Sequence, residues 1–269
     1  MNKIQFYFSI IKHSILHPKS GLQLYESVMQ TKDDEKHQIK EIEIRPSTFN
    51  EILSNFFPHH ELTHNVIDEE LTQLYSHLEN FTKKMDSETF PSKTKPYPLN
   101  YSLDDQSGIL MYTLCRLIKP ELVVETGVAY GISTSFILKA LHDNKKGKLF
   151  SIDYVFRPWE SKNMIGIAIP DELRNNWELV YGPSASKLPK LLKSLGKIDI
   201  FFHDSLHTFK NMIFEYNTAW PHIKKNGFLL SDDVLSNNAF NDFYMKNKLT
   251  PKILQQKNTV KSYLGILQK

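Results

Sequence analysis

The chain has 269 residues, 41% hydrophobic and 23% charged, with one cysteine and a formal net charge of +3. This is the make-up of an ordinary globular protein long enough for one large domain or a mid-sized domain with an extension. Charges of both signs are interspersed, which argues against nucleic acid as a partner. The lone Cys115 excludes an internal disulfide and fits a reducing, cytoplasmic setting.

The first stretch, IQFYFSII, is apolar but far shorter than the roughly 18 residues of a membrane span. No small-residue cleavage site follows it, so neither a signal peptide nor stable membrane insertion is expected. Phe6, Tyr7 and Phe8 are expected to dock on the chain's own domain rather than on a lipid surface. Residues 1–96 then read as a helical extension serving as a lid or dimerisation region. In DEELTQLYSHLENFTKKM, Leu71, Leu74, Leu78 and Phe81 recur at three- and four-residue spacing. The charged run TKDDEKHQIKEIE reads as a solvated face or loop. Phe56, Phe57 and Tyr75 read as core of the extension, with a lid or dimer surface as the alternative.

Within this region, PHHELTHNV contains His60-Glu61-Leu62-Thr63-His64, a formal match to the zinc-protease pattern H-E-x-x-H. Such a site needs both histidines on one helix face, a third ligand and an open position. Glu69, Glu70 and Glu79 follow with no further motif around them. A zinc metallohydrolase is therefore carried as the weaker reading. Pro91, Pro96 and Pro98 mark an extended boundary.

Residues 97–269 change character. ELVVET, KLFSID, WELVY, KIDIFFHD and NGFLLSD alternate with amphipathic stretches, which predicts βαβ units and an α/β, Rossmann-like doubly wound sheet. The last segment, KILQQKNTVKSYLGILQ, has room for two strands and no helix between them. The expected sheet has five parallel strands plus a C-terminal hairpin contributing one antiparallel strand. Cys115, in LMYTLCRLI, reads as inert core on a helix face.

In such sheets ligands lie beyond the carboxyl ends of the strands, so strand-end residues carry the information. The first strand ends in VVETGVAYGIST. Gly127 and Gly131 suit a tight turn that lets backbone approach a ligand, and Glu125 suits a positive or hydroxylated one. The spacing is G-x-x-x-G, not G-x-G-x-x-G, which disfavours an NAD-linked oxidoreductase, and no phosphate-loop lysine follows. Asp153 ends the second strand, where a carboxylate can accept ribose hydroxyls, or cap a helix. After the third strand Gly182 turns the chain, and Ser184 is a helix cap or a partner for an adenine edge. His203, Asp204 and His207 end the fourth strand, and Asp232 and Asp233 the fifth. Asp204, Asp232 and Asp233 together would repel and need a cation, a proton or donors between them, with Mg²⁺, Mn²⁺ or Ca²⁺ favoured over zinc. Capping of the next helix is the alternative for Asp232 or Asp233.

These five segments, in this order, resemble class I S-adenosylmethionine-dependent methyltransferases of the small O-methyltransferase type, the catechol and caffeoyl-CoA group and its bacterial glycan or natural-product branch. The resemblance covers nearly two thirds of the chain. It implies that Glu125, Gly127, Tyr130, Gly131 and Ser133 surround the methionine part of the cofactor, that Asp153 holds the ribose and that Ser184 sits by the adenine. It implies Asp204, Asp232 and Asp233 as metal ligands, for Mg²⁺ or another divalent cation, with Asp204 alternatively holding the cofactor's amino group. The third ligand is usually Asn in the catechol type. His207 falls where those enzymes place a lysine and is the expected general base, with Asp204 as its catalytic companion. A small-molecule or glycan acceptor, and a homo-oligomer, are the implied partners. A non-catalytic cofactor-binding protein on the same fold is the alternative. Arg157 and Trp159, in the long loop after the second strand, are candidate acceptor contacts.

Overall fold

The computed structural model describes residues 3–36, 45–99, 105–255 and 262–269. The latter part of the charged run and the turn of the C-terminal hairpin lie outside the described residues.

Two helices open the chain, α1 (Lys3–Leu16) and α2 (Pro18–Asp34), joined at His17. Next come α3 (Phe49–Phe56) and α4 (His64–Asp86). Each of these two starts where the sequence supplies a cap. Thr48 and Glu51 form a reciprocal capping box at α3, and Thr63 Oγ1 accepts the Val66 amide at α4. Ile67, Leu71, Leu74, Leu78 and Met85 form the buried stripe of α4.

The second part begins with α5 (Asp105–Ile118) and β1 (Leu122–Thr126), followed by α6 (Ile132–Asp143) and β2 (Lys148–Asp153). Two short 3₁₀ turns lead to β3 (Trp177–Tyr181), α7 (Ser184–Leu195), β4 (Ile198–His203), α8 (Phe209–Ala219) and β5 (Ile223–Ser231). The chain closes with α9 (Ala239–Asn247), β6 (Lys252–Gln255) and β7 (Tyr263–Gln268). The strand order is β3-β2-β1-β4-β5-β7-β6. β1 to β5 are parallel, while β7 runs antiparallel to both β5 and β6. This is the sheet expected from the sequence, with β7 as its one reversed strand.

The sheet is covered on both faces because its strands are apolar on both. Val123, Ile200, Phe202, Phe228 and Leu230 join one core, and Val124, Phe201 and Leu229 join the other. The first core is continuous with α3 and α4: Ile52, Leu53, Leu71 and Leu74 belong to it. Phe56 and Phe57 pack on Phe228, and Tyr75 packs on Phe136. These aromatics are therefore core, and α3–α4 share one apolar interior with the sheet. Cys115 is also buried, and burial pushes its thiol up to about 12.

Candidate active site

Strand order reverses between β1 and β4, so their carboxyl ends open the crevice in which ligands sit in sheets of this kind. Backbone bonds bind these ends together: the Asp204 amide donates to Thr126 O and the Asp232 amide to His203 O. The loop after β1 is a tight turn with positive φ at Gly127, Ala129 and Gly131. Its glycines supply the expected turn and also meet a second need. A Cβ on Gly127 would lie 1.9 Å from the Asp204 carbonyl oxygen, and one on Gly131 would lie 2.7 Å from Ile169. The close approaches are to the protein's own backbone and side chains.

Asp153 holds this turn from below. Its Oδ2 accepts the amides of Val128 and Ala129, both at 2.9 Å, and its Oδ1 accepts the amide of Tyr154 at 2.6 Å. Burial raises its carboxyl to about 6, against the pull of those three amides. Glu125 lies fully buried under the turn, with hydrogen bonds from Thr134 Oγ1 and Ser151 Oγ. Burial pushes it to about 8 despite these hydroxyl donors. The Tyr130 ring is packed between Phe81 and Tyr97, its hydroxyl donating to Tyr97 O at 2.8 Å. Ser133 is buried, 3.5 Å from Asp204 Oδ2. The cap of α7 is Pro183, and Ser184 is the first helical residue, its hydroxyl bonded to Glu215.

The acidic residues at the β4 and β5 ends do not group as the sequence suggested. Asp204, His207 and Asp232 bring one ligand atom each to within 4.8 Å of one another, the set among the described residues able to hold a metal ion. Asp233 stands outside it. The backbone there has a φ of 50°, and its Oδ1 accepts from Ser262 Oγ at 2.8 Å while Oδ2 lies 3.6 Å from His207 Nδ1. In place of Asp233, His207 completes the set, its Nε2 3.7 Å from Asp204 Oδ1 and without a hydrogen-bond partner. Neither Asp232 nor Asp233 caps a helix, since α9 starts at Ala239. Burial, then the neighbouring Asp232, Glu125 and Asp233, hold Asp204 well above the usual carboxylate range. Burial and the adjoining His203 ring bring His207 down to about 4, with Asp233 and Glu215 opposing.

The H-E-x-x-H match does not form a site. Helix α4 begins at His64, so His60 lies outside it, at the end of the turn closed by its amide on Phe57 O, and the two histidines share no helix face. His64 Nε2 instead bonds Asn50 Oδ1 at 3.1 Å. The zinc metallohydrolase reading is withdrawn on this geometry. Arg157 is paired with the buried Glu160 at 2.7 Å, part of the loop wall beside Asp153.

Comparison with known proteins agrees with this layout. Residues 124–234 match the family described as a methyltransferase domain. No curated protein matches the chain. Among solved structures, the O-methyltransferase from Bacillus cereus in complex with S-adenosylhomocysteine is similar with 13% identity and a TM-score of 0.53, covering 81% of this chain and 96% of its own. The O-methyltransferase TomG from Streptomyces achromogenes, involved in tomaymycin synthesis, is 14% identical with a TM-score of 0.55 and covers the same shares, 81% and 96%. A Podospora anserina methyltransferase is 16% identical with a TM-score of 0.51, over 85% of this chain and 99% of its own.

The strand-end layer also contains a network that sequence reasoning passed over. Glu215 of α8 is fully buried and accepts hydrogen bonds from Thr126 Oγ1, from Ser205 Oγ at 2.9 Å and from Asn211 Nδ2 at 3.3 Å, with His203 Nδ1 at 2.7 Å. Burial alone would raise its carboxyl, but the charge and hydrogen bond of His203, with Ser184 and Thr126, hold it below the usual range. The signal was present: Glu215 sits on the apolar stripe of α8, three residues after Met212 and four before Ala219. An acid at that position is buried and must be paired.

Proposed function

We propose that the protein transfers a methyl group from S-adenosylmethionine to a hydroxyl of a small molecule or glycan. The observation that supports this most is the meeting of Asp204, His207 and Asp232 beside the glycine turn of β1, at the point where strand order reverses. The cofactor would lie along the turn from Gly127 to Ser133, with Asp153 at the ribose and Ser184 at the adenine. Asp153 suits that role because a carboxylate oxygen accepting one amide keeps a lone pair for a hydroxyl. Glu125 and Tyr130 support the turn from beneath, their polar atoms already engaged with Thr134, Ser151 and Tyr97.

The reaction needs the acceptor oxygen in line with the carbon–sulfur bond. The oxygen's electron pair forms the new bond to the methyl, the carbon–sulfur pair stays on sulfur, and S-adenosylhomocysteine leaves. With no cation in the cluster, His207 Nε2 is the group to take the hydroxyl proton, as it is buried and has no hydrogen-bond partner, whereas coordination through Nε2 would commit that lone pair to the cation. Two carboxylates and an imidazole at this spacing, with Asp204 raised by burial and then by its acidic neighbours, fit a divalent cation such as Mg²⁺ or Mn²⁺. When bound, such a cation offsets the repulsion and lowers the pKa of a coordinated hydroxyl. The raised carboxyl of Asp204 equally fits a site for the ammonium of the cofactor.

Calorimetric titration with S-adenosylmethionine, with NAD as the control, tests the reading. Heat is expected with the first and none with the second. No heat with S-adenosylmethionine overturns the proposal.

A further inference from the structure

The two-helix arm α1–α2 is amphipathic in the inverted sense. Its inner side, in partial burial, is made largely of small and polar residues: Ser9, His13 and Ser14 on α1, and Ser20, Gln23 and Ser27 on α2. A Cβ on Gly21 would stand 2.7 Å from Ser14 Cβ, so the helices bend tightly against each other there. The outer side is apolar. Tyr7, Phe8, Ile11, Ile15 and Leu16 are between 58 and 74% exposed, and Leu22 and Tyr25 on α2 are 57 and 61% exposed. Scattered exposed apolar residues need no explanation, but this concentration on one arm does. Phe8, expected to dock on the chain's own domain, is instead largely exposed. The side chain of Phe6 lies outside the described residues.

Charge says what covers this surface. The cations gather at α1 and the start of α2: no acidic residue precedes Glu26, whereas Lys3, Lys12, His13, His17 and Lys19 all lie in that stretch, and Glu26, Asp33 and Asp34 follow further along α2. Lys12, His17 and Lys19 are exposed. A symmetric contact between two copies would bring two such cationic stretches into one interface without supplying an anionic partner from that stretch. An anionic surface meets both requirements, because lysine stems lie along apolar side chains while their ammonium groups reach phosphate.

We propose that the α1–α2 arm binds an anionic lipid surface, with Phe8, Ile11 and Ile15 in the headgroup–acyl boundary and Lys12 and Lys19 on lipid phosphates. No described helix is long and apolar enough to cross a membrane, so the contact is interfacial. The arm is tied to the loop that carries His207. Thr208 Oγ1 bonds Gln30 Oε1 at 2.7 Å and the Phe209 amide donates to Asp34 Oδ2 at 2.8 Å. Docking would hold the strand-end crevice close to the lipid surface.

The test is co-sedimentation of the full chain with phosphatidylcholine vesicles, with and without phosphatidylglycerol, alongside sedimentation velocity of the lipid-free protein. Binding is expected with phosphatidylglycerol, weakened about fivefold for each of Lys12→Gln and Lys19→Gln and by added salt. The double variant Phe8→Asp/Ile15→Asp should stay in the supernatant. These residues are exposed, and circular dichroism of each variant checks that the fold is kept. Failure to bind phosphatidylglycerol vesicles overturns the proposal. So does equal binding to both vesicle types, or a lipid-free dimer that Phe8→Asp/Ile15→Asp dissociates.

Discussion

Glu125→Gln isolates the consequence of burying a carboxyl among hydroxyl donors alone. Glu125 is completely buried, its hydrogen-bond partners are Thr134 and Ser151, and burial lifts its pKa from about 4.5 to about 8. The folded protein therefore binds a proton here that the unfolded chain releases. A raised acid contributes stability that is fully present below the unfolded value of 4.5 and is lost as pH rises through the folded value of about 8. The loss is about 1.4 kcal/mol per pH unit across that window, or about 3 kcal/mol by pH 7. A glutamine keeps the shape and the neutral state and does not titrate, so its stability lacks this slope. Asp153 tilts both proteins in the same sense, while Asp204, held up in part by Glu125, is relieved in Glu125→Gln and adds to its gain in the same direction.

The assay is urea unfolding of wild type and Glu125→Gln from pH 5 to 8.5, compared as a difference. Glu125→Gln should match wild type or fall slightly below it at the acid end. It should then gain on wild type steadily towards pH 8 and level off beyond. In thermal scans the same gain corresponds to about 2–4 °C per kcal/mol for a chain of this size. Parallel curves, with no pH dependence in the difference, would refute the reasoning, because they would mean that Glu125 titrates alike in folded and unfolded chains.

His207→Ala should lower turnover by about 10²–10⁴-fold, as for removal of a general base, while calorimetry finds the affinity for S-adenosylmethionine unchanged. Asp153→Ala should lose that affinity by about tenfold or more and also lower the melting temperature, since the Val128 and Ala129 amides lose their acceptor. Unchanged cofactor binding in Asp153→Ala would contradict the assignment. Chelation followed by dialysis should lower activity, and Mg²⁺ or Mn²⁺ should restore it if Asp204, His207 and Asp232 hold a cation. Activity indifferent to chelator would leave Asp204 to the cofactor's ammonium instead.

The parallel sheet and its strand-end residues were readable because both rest on short-range pattern. β-branched runs ended by Gly or Asp mark where each strand stops, and the fold rule then says which ends matter. What the pattern lacked was direction. Asp232 and Asp233 are neighbours in sequence, yet a φ of 50° at Asp233 turns one of them towards Ser262 and away from the cluster. Gly127 and Gly131 were correctly placed in a turn, but which atoms crowd them depends on β4 and on the loop near Ile169. The histidine pair in HHELTH failed on a single local fact. Thr63 caps the helix, so the helix begins after His60.

The strand-end layer holds several buried or half-buried acids, and the protein treats each differently. Glu125 is offered hydroxyl donors and is best kept protonated. Asp153 receives three backbone amides, which offset much of its burial. Glu215 is given His203 together with Thr126, Ser205 and Asn211, and so can remain ionised in the interior. Asp204 receives none of these remedies in comparable measure: its neighbours are Asp232, Glu125 and Asp233, and the Ser133 hydroxyl stands 3.5 Å away. Elsewhere in this layer the fold pairs its acids with care, so leaving Asp204 against other carboxylates is a specific feature of one spot. That spot adjoins the unpartnered Nε2 of His207 and the open side of the β1 turn. A proton, or a positively charged ligand group such as a divalent cation or the ammonium of S-adenosylmethionine, is the partner that this arrangement calls for.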